Sequence, residues 1–118
     1  MTHAAQRRLL LVGRDLHEAE RLKRLLPARV GIAHAPSQAL RALDRADVVL
    51  LEDRSWPSLE DEALSEIRER SASRRLALIL SRRRGEASEP AGVPVVERPY
   101  VIEEIVSAMR LALLRRRR

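Results

Sequence analysis

The sequence contains no cysteine and no phenylalanine, and Trp56 and Tyr100 are its only aromatic residues. Without cysteine, disulfides and thiol chemistry are excluded. Without phenylalanine, the core must be aliphatic, built from Leu, Ala, Val and Ile. No apolar run is long enough to span a bilayer. The N-terminal stretch "MTHAAQRRLLLVG" lacks a long apolar segment followed by a cleavage site, so no secretory signal is expected and the expected compartment is the cytoplasm. There is no internal repeat and no interdomain linker. His3, His17 and His34 form no ligand spacing. Gly13 is not part of a G-x-G-x-x-G fingerprint, no phosphate-binding G-x-x-x-x-G-K-S/T occurs, and no Ser–His–acid arrangement stands out. These absences give no support to nucleotide binding, a histidine metal site or triad catalysis, and no cofactor is expected.

What remains is ample for a folded domain. The chain has 118 residues, 45% of them hydrophobic, enough for one domain with a real core. That domain is expected to span residues 1–118, with its core at about 7–114 and an Arg-rich tail at 115–118. Net charge is +6, from 23 basic and 17 acidic residues. Much of the excess lies in two tracts, Arg82 to Arg84 and Arg115 to Arg118. Such tracts attract phosphates by a salt-dependent, sequence-blind force. They read equally as a charged loop and a solubilising end.

Hydrophobic patterning alternates between two kinds of segment. "RRLLLVG" (Arg7 to Gly13) is a continuous apolar strand. "DLHEAERLKRLLP" is an amphipathic helix with Leu22, Leu25 and Leu26 on its inward face, ended near Pro27. "RVGIAHA" is a weaker strand. "PSQALRALDRA" is a short helix with Ser37 near its start and Ala39, Leu40 and Leu43 inward. "DVVLLED" is the strongest strand, and its unbroken apolar run requires cover on both faces. In "SLEDEALSEIRERSASRR", Ser58 and Asp61 resemble a capping box, ahead of a stripe of Leu59, Ala63, Leu64 and Ile67. "RLALILS" is a fourth strand, and "RRRGEASEPAG" reads as loop or a broken helical turn. "VPVVE" is a short fifth strand. "VIEEIVSAMRLALL" closes the chain as a helix, with Ile102, Ile105, Val106, Met109 and Leu113 inward. Apolar strands alternating with amphipathic helices predict an α/β fold with a doubly wound parallel sheet.

In such a sheet, sites gather at the carboxyl ends of the strands. The first strand ends at Gly13, Arg14 and Asp15, the third at Glu52 and Asp53, and the fourth at Ser81. The fifth ends at Glu97 and Arg98, followed by Pro99 and Tyr100. This ordered set, with "RPY" late in the chain, resembles the receiver domains of two-component signalling over roughly Arg7 to Leu114. The resemblance implies a flavodoxin-like five-stranded sheet of order 2-1-3-4-5. The short segment between Ser81 and Arg98 implies a shortened or missing fourth helix. In that family an acidic pair after the first strand holds Mg²⁺ and an Asp ending the third strand accepts a phosphoryl group. A Ser or Thr ends the fourth strand, and a Lys before Pro ends the fifth.

Here the matching positions depart from the family. Gly13 and Arg14 stand where the acidic pair belongs, with Asp15 just beyond. Glu52 stands at the phosphoacceptor position, followed by Asp53. Ser81 matches the hydroxyl residue, and Arg98 replaces the Lys. Phosphoryl transfer needs cations to neutralise the phosphoryl oxygens and an in-line nucleophile, and Mg²⁺ needs hard oxygen ligands. The resemblance therefore implies a degenerate receiver, without an enzymatic role, that has lost Mg²⁺ binding and phosphoacceptor chemistry. Two physical readings of the site stand side by side: an ion network in which Arg14 and Arg98 face Glu52 or Asp53, and simple drift of an unused site. Partners are expected to be proteins of a bacterial signalling system, with homodimerisation through the face of the fifth strand and last helix. Trp56, Pro99, Tyr100 and Arg115, Arg116, Arg117 and Arg118 are the contact candidates. Tyr100 is expected to pack with its hydroxyl at the surface, a contact role being the alternative. Nucleic-acid or other anionic-surface binding through the Arg tracts is a second reading. Unconventional phosphoacceptor chemistry using Asp53 and Asp15 is a third.

Overall fold

The structure is a computed structural model that describes residues 7–52, 61–83 and 92–117. Five strands carry the chain: β1 (Arg8–Val12), β2 (Arg29–Ala33), β3 (Val48–Leu51), β4 (Ala77–Arg83) and β5 (Val95–Arg98). Four α-helices lie among the described residues: α1 (Leu16–Leu25), α2 (Pro36–Ala42), α3 (Asp61–Ala72) and α4 (Ile102–Arg117). A 3₁₀ turn, Leu43–Arg45, extends α2. All strand pairs are parallel and the order is β2-β1-β3-β4-β5. This is the flavodoxin-like arrangement that the resemblance to receiver domains implies, and the parallel pairing is the one the alternation of elements predicts. The segment 84–91, where a helix between β4 and β5 would fall, lies outside the described residues, as does the proposed capping residue Ser58.

The unbroken apolar strands are covered on both sides. Along β1, Leu9 and Leu11 face α1 and α4, in a core that includes Leu22, Leu50, Ile79 and Ile105. Leu10 and Val12 face α2 and α3, with Val49, Leu51, Ile67 and Leu80. The period-two alternation of the strand thus serves two cores instead of one core and solvent. Asp15 starts α1, its side chain accepting the Glu18 backbone N–H at 3.1 Å. The helix ends where Leu26 turns extended, one residue before Pro27.

Three sequence expectations change. Leu25 is about half exposed; Leu22 and Leu26 face inward as expected, and Ala19 joins them. β4 runs on through Arg82 and Arg83, so these two are strand residues and not loop. Their polarity is compatible with a strand because Arg82 pairs in register with Glu97 of β5 and its guanidinium reaches that carboxylate at 3.2 Å. The last helix continues to Arg117, so most of the arginine run is helical rather than a tail. Arginine is a good helix former, and cations at a helix C-terminus are favoured by its dipole.

Candidate functional site

Strand register brings the candidate residues together. Val12 pairs with Leu51, and Leu51 pairs with Leu80. The next residue on each strand is Gly13, Glu52 and Ser81, so these three stand side by side at the carboxyl end of the sheet. Arg98 ends β5 beside them, joined to Pro99 by a cis peptide bond.

Glu52 is fully buried. Its Oε1 lies 3.3 Å from Arg98 Nη1. Its Oε2 accepts the Tyr100 hydroxyl proton at 2.5 Å. Tyr100 Oη is also 2.7 Å from Ser81 Oγ. Because the phenol donates to Glu52, the serine hydroxyl donates to the phenol. A chain of donors therefore runs from Ser81 through Tyr100 to Glu52, with Arg98 on the other carboxylate oxygen. Burial, and then the Glu52 charge and hydrogen bond, push the Tyr100 hydroxyl well above the usual phenol range, against the opposite pull of Ser81 and Arg98. The phenol is thus held as a neutral donor. Tyr100, expected to turn its hydroxyl to the surface, is buried with the hydroxyl pointing inward. "RPY" after an apolar strand does not reveal this, since the direction of the ring depends on the backbone after Pro99.

Gly13 has a specific reason to be glycine. A Cβ there would stand 2.2 Å from Glu52 Oε1, 2.5 Å from its Cδ and 2.8 Å from its Cγ. The space that a side chain at position 13 would take is filled by the carboxylate of Glu52. The glycine at position 13 and the glutamate at position 52 are thus sterically coupled.

Two further residues belong to the site and escape sequence reasoning. Glu18, on the first turn of α1, accepts the Tyr100 backbone N–H at 2.9 Å. Arg21 donates Nε and Nη2 to the same carboxylate at 3.0 and 2.9 Å, and Nη2 also donates to the Tyr100 carbonyl. The Glu18–Arg21 pair thus holds both polar groups of the Tyr100 backbone. Arg21 is the main cause that keeps the Glu18 carboxyl below the usual range; burial opposes it and the Tyr100 N–H adds to it. The only sequence signal is the i, i+3 spacing of opposite charges, which more often marks a solvated helix face.

Arg14, Asp15, Glu18, Arg83, Arg98 and Pro99 line a cleft of about 480 Å³ over this network. Arg14 is exposed on its rim. Asp53 and Trp56 lie outside the described residues. Arg115 and Arg116 are at the far end of α4, at the opposite end of the sheet from Arg82 and Arg83, while Arg84 and Arg118 lie outside the described residues.

Gly13 supplies no side-chain oxygen, Arg14 is a cation, and Asp15 is engaged as a helix cap. Both Glu52 oxygens face donors. Among the described residues no group of three or more His, Asp or Glu side chains gathers as metal ligands do.

The fold is that of a receiver domain. The signal receiver domain of an HD-domain protein from Pseudomonas fluorescens Pf-5 superposes with a TM-score of 0.72 at 22% identity, covering 95% of this chain and 98% of its own. A response regulator receiver domain from Clostridium thermocellum gives 0.72 at 18% identity, covering 94% and 97%. The receiver domain of a modulated diguanylate cyclase from Desulfovibrio desulfuricans G20 gives 0.72 at 15% identity, covering 95% and 97%. No family model matches the sequence, and no curated protein matches it.

Proposed function

We propose that the chain is a non-enzymatic signalling module, a single receiver-like domain over residues 1–118, that works by binding protein partners without a phosphorylation cycle. The observation that carries this reading is the closed state of Glu52. A phosphoacceptor must present a carboxylate oxygen to an incoming phosphoryl group, in line and beside cations. Glu52 has no exposed surface, and its oxygens are engaged by Tyr100 and Arg98. The site is filled by permanent internal contacts, which favours one fixed conformation over a switch between two. A buried ion pair of this kind adds little net stability but fixes geometry.

The partner is a protein of a bacterial signalling system, met in the cytoplasm. The contact face is α4 with β5, where Val101, Leu111 and Leu114 are about half exposed. The same face provides for a homodimer. No helix among the described residues is long and apolar enough to cross a membrane.

Intact mass after incubation with acetyl phosphate and Mg²⁺ tests the loss of chemistry. The expected result from folded protein is an unchanged mass; a phosphoryl adduct on Asp53 or Glu52 would instead support a working acceptor. Affinity capture from lysate of the source cells, with nuclease present, tests the interaction reading. Retention of defined proteins at moderate salt is expected. Light scattering at high concentration decides the homodimer, and a strict monomer would remove it.

A further inference from the structure

The parallel topology collects charge at the end of the sheet opposite Glu52. Every strand starts at that end and every helix stops there. Arg8, Arg29 and Arg45 line a groove of about 290 Å³ at the starts of β1 and β2. Arg74 and Arg115 line a second groove of about 510 Å³ with Val93, Pro94, Leu111 and Leu114. Arg24 and Arg116 are exposed on the last turns of α1 and α4. Four carboxylates among the described residues of this end are engaged already. Asp44 and Glu66 hold Arg70, Glu69 faces Arg75, and Asp47 accepts the Arg8 backbone N–H.

Helix dipoles explain part of this charge, since cations near helix C-termini are favoured. They do not explain Arg8 and Arg29, which open strands, or Arg74, which stands in the turn after α3 with a left-handed φ of 64°. The same end also exposes Leu25, Leu111 and Leu114, each about half accessible. A nucleic-acid backbone rewards the arginines and gives nothing to exposed leucines. No aromatic side chain stands at this end among the described residues to stack on a base. An anionic bilayer surface rewards both, through phosphate headgroups and the acyl boundary.

We propose that this basic pole, with Leu25, Leu111 and Leu114, docks peripherally on an anionic lipid surface. It shares Leu111 and Leu114 with the contact face proposed above, so lipid and protein compete for these side chains, and it leaves the opposite, Glu52 end facing away from the membrane. Each arginine near such a surface is worth about fivefold in binding.

Co-sedimentation of the full chain with vesicles tests the proposal. Equal parts phosphatidylglycerol and phosphatidylcholine are compared with phosphatidylcholine alone, at low and high salt. Retention on the anionic vesicles only, weakened by salt, is expected. Replacing Arg74→Glu, Arg115→Glu and Arg116→Glu together should weaken binding by at least about 100-fold. Replacing Leu111→Ser with Leu114→Ser should weaken it roughly tenfold without changing charge. Helicity by circular dichroism checks that each variant is folded, and the pair Arg8→Glu, Arg29→Glu repeats the charge test on different elements. No retention on anionic vesicles overturns the proposal. So does retention that the leucine pair leaves unchanged, and tighter, salt-steep binding to duplex DNA alongside it would assign the pole to nucleic acid.

Discussion

A methyl group at position 13 has no room while Glu52 keeps its place. Moving the glutamate aside breaks its contacts to Arg98 and Tyr100 inside a closed core. Gly13→Ala is therefore expected to destabilise the fold by about 1–3 kcal/mol. In a Glu52→Ala background the same change should cost much less, leaving a coupling of at least about 1 kcal/mol. Urea unfolding of the four proteins measures it, and additive effects would break the steric link between the two positions. Tyr100→Phe removes only a hydroxyl, but takes one hydrogen bond each from Glu52 Oε2 and the Ser81 hydroxyl. A loss of about 1–3 kcal/mol is expected from the same unfolding measurement. A variant as stable as the parent would mean that water or another donor takes over without cost.

At the scale of elements, α1 holds the junction of β5 and α4 through Glu18 and Arg21. The Glu18 carboxyl is lowered in the fold, with Arg21 as the leading cause. Its contribution is therefore complete above the unfolded value of about 4.3, and is lost as pH falls through the lower folded value. The stability gap between the parent and Glu18→Gln should be constant from neutral pH down to about 5 and then narrow below about 4. Unfolding curves across that range measure it. A gap that stays constant into acid would remove the carboxylate charge from the clamp. This clamp was invisible in the sequence, because a Glu and an Arg three apart look the same whether they face water or a neighbouring loop. Elements with apolar cores were legible: β1, β3 and α3 lie close to where periodicity placed them. The errors fell at polar ends. Arg82 and Arg83 belong to a strand because Glu97 and Arg98 lie alongside them, and Arg115 belongs to a helix because nothing stops α4. Neither neighbour relation is a local property of sequence.

Across the whole molecule, the alternation of elements predicts a parallel sheet, and in a parallel sheet Gly13, Glu52, Ser81 and Arg98 all fall at the carboxyl end, whatever the strand order. That much of the site was legible from topology alone. What escaped were directions: the inward turn of the Tyr100 ring and the bend of Glu52 over Gly13. These are set by packing between residues far apart in the chain. Together they turn an end of the sheet that is open in principle into a closed one, with the phenol at its centre. Tyr100 is the only tyrosine in the chain, so its ionisation can be read directly from ultraviolet absorbance. The folded hydroxyl is raised above its unfolded value near 10. Its contribution to stability is therefore present below about pH 10 and lost as pH rises beyond it. The measurement that bears most directly on the closed site is an alkaline titration of the chain, folded and in urea, with circular dichroism followed in parallel. Tyrosinate should appear near pH 10 in urea, and in the folded chain only together with loss of structure. Titration at the same pH in both states, with the fold intact, would place the hydroxyl in water and leave Glu52 without the partner that closes it.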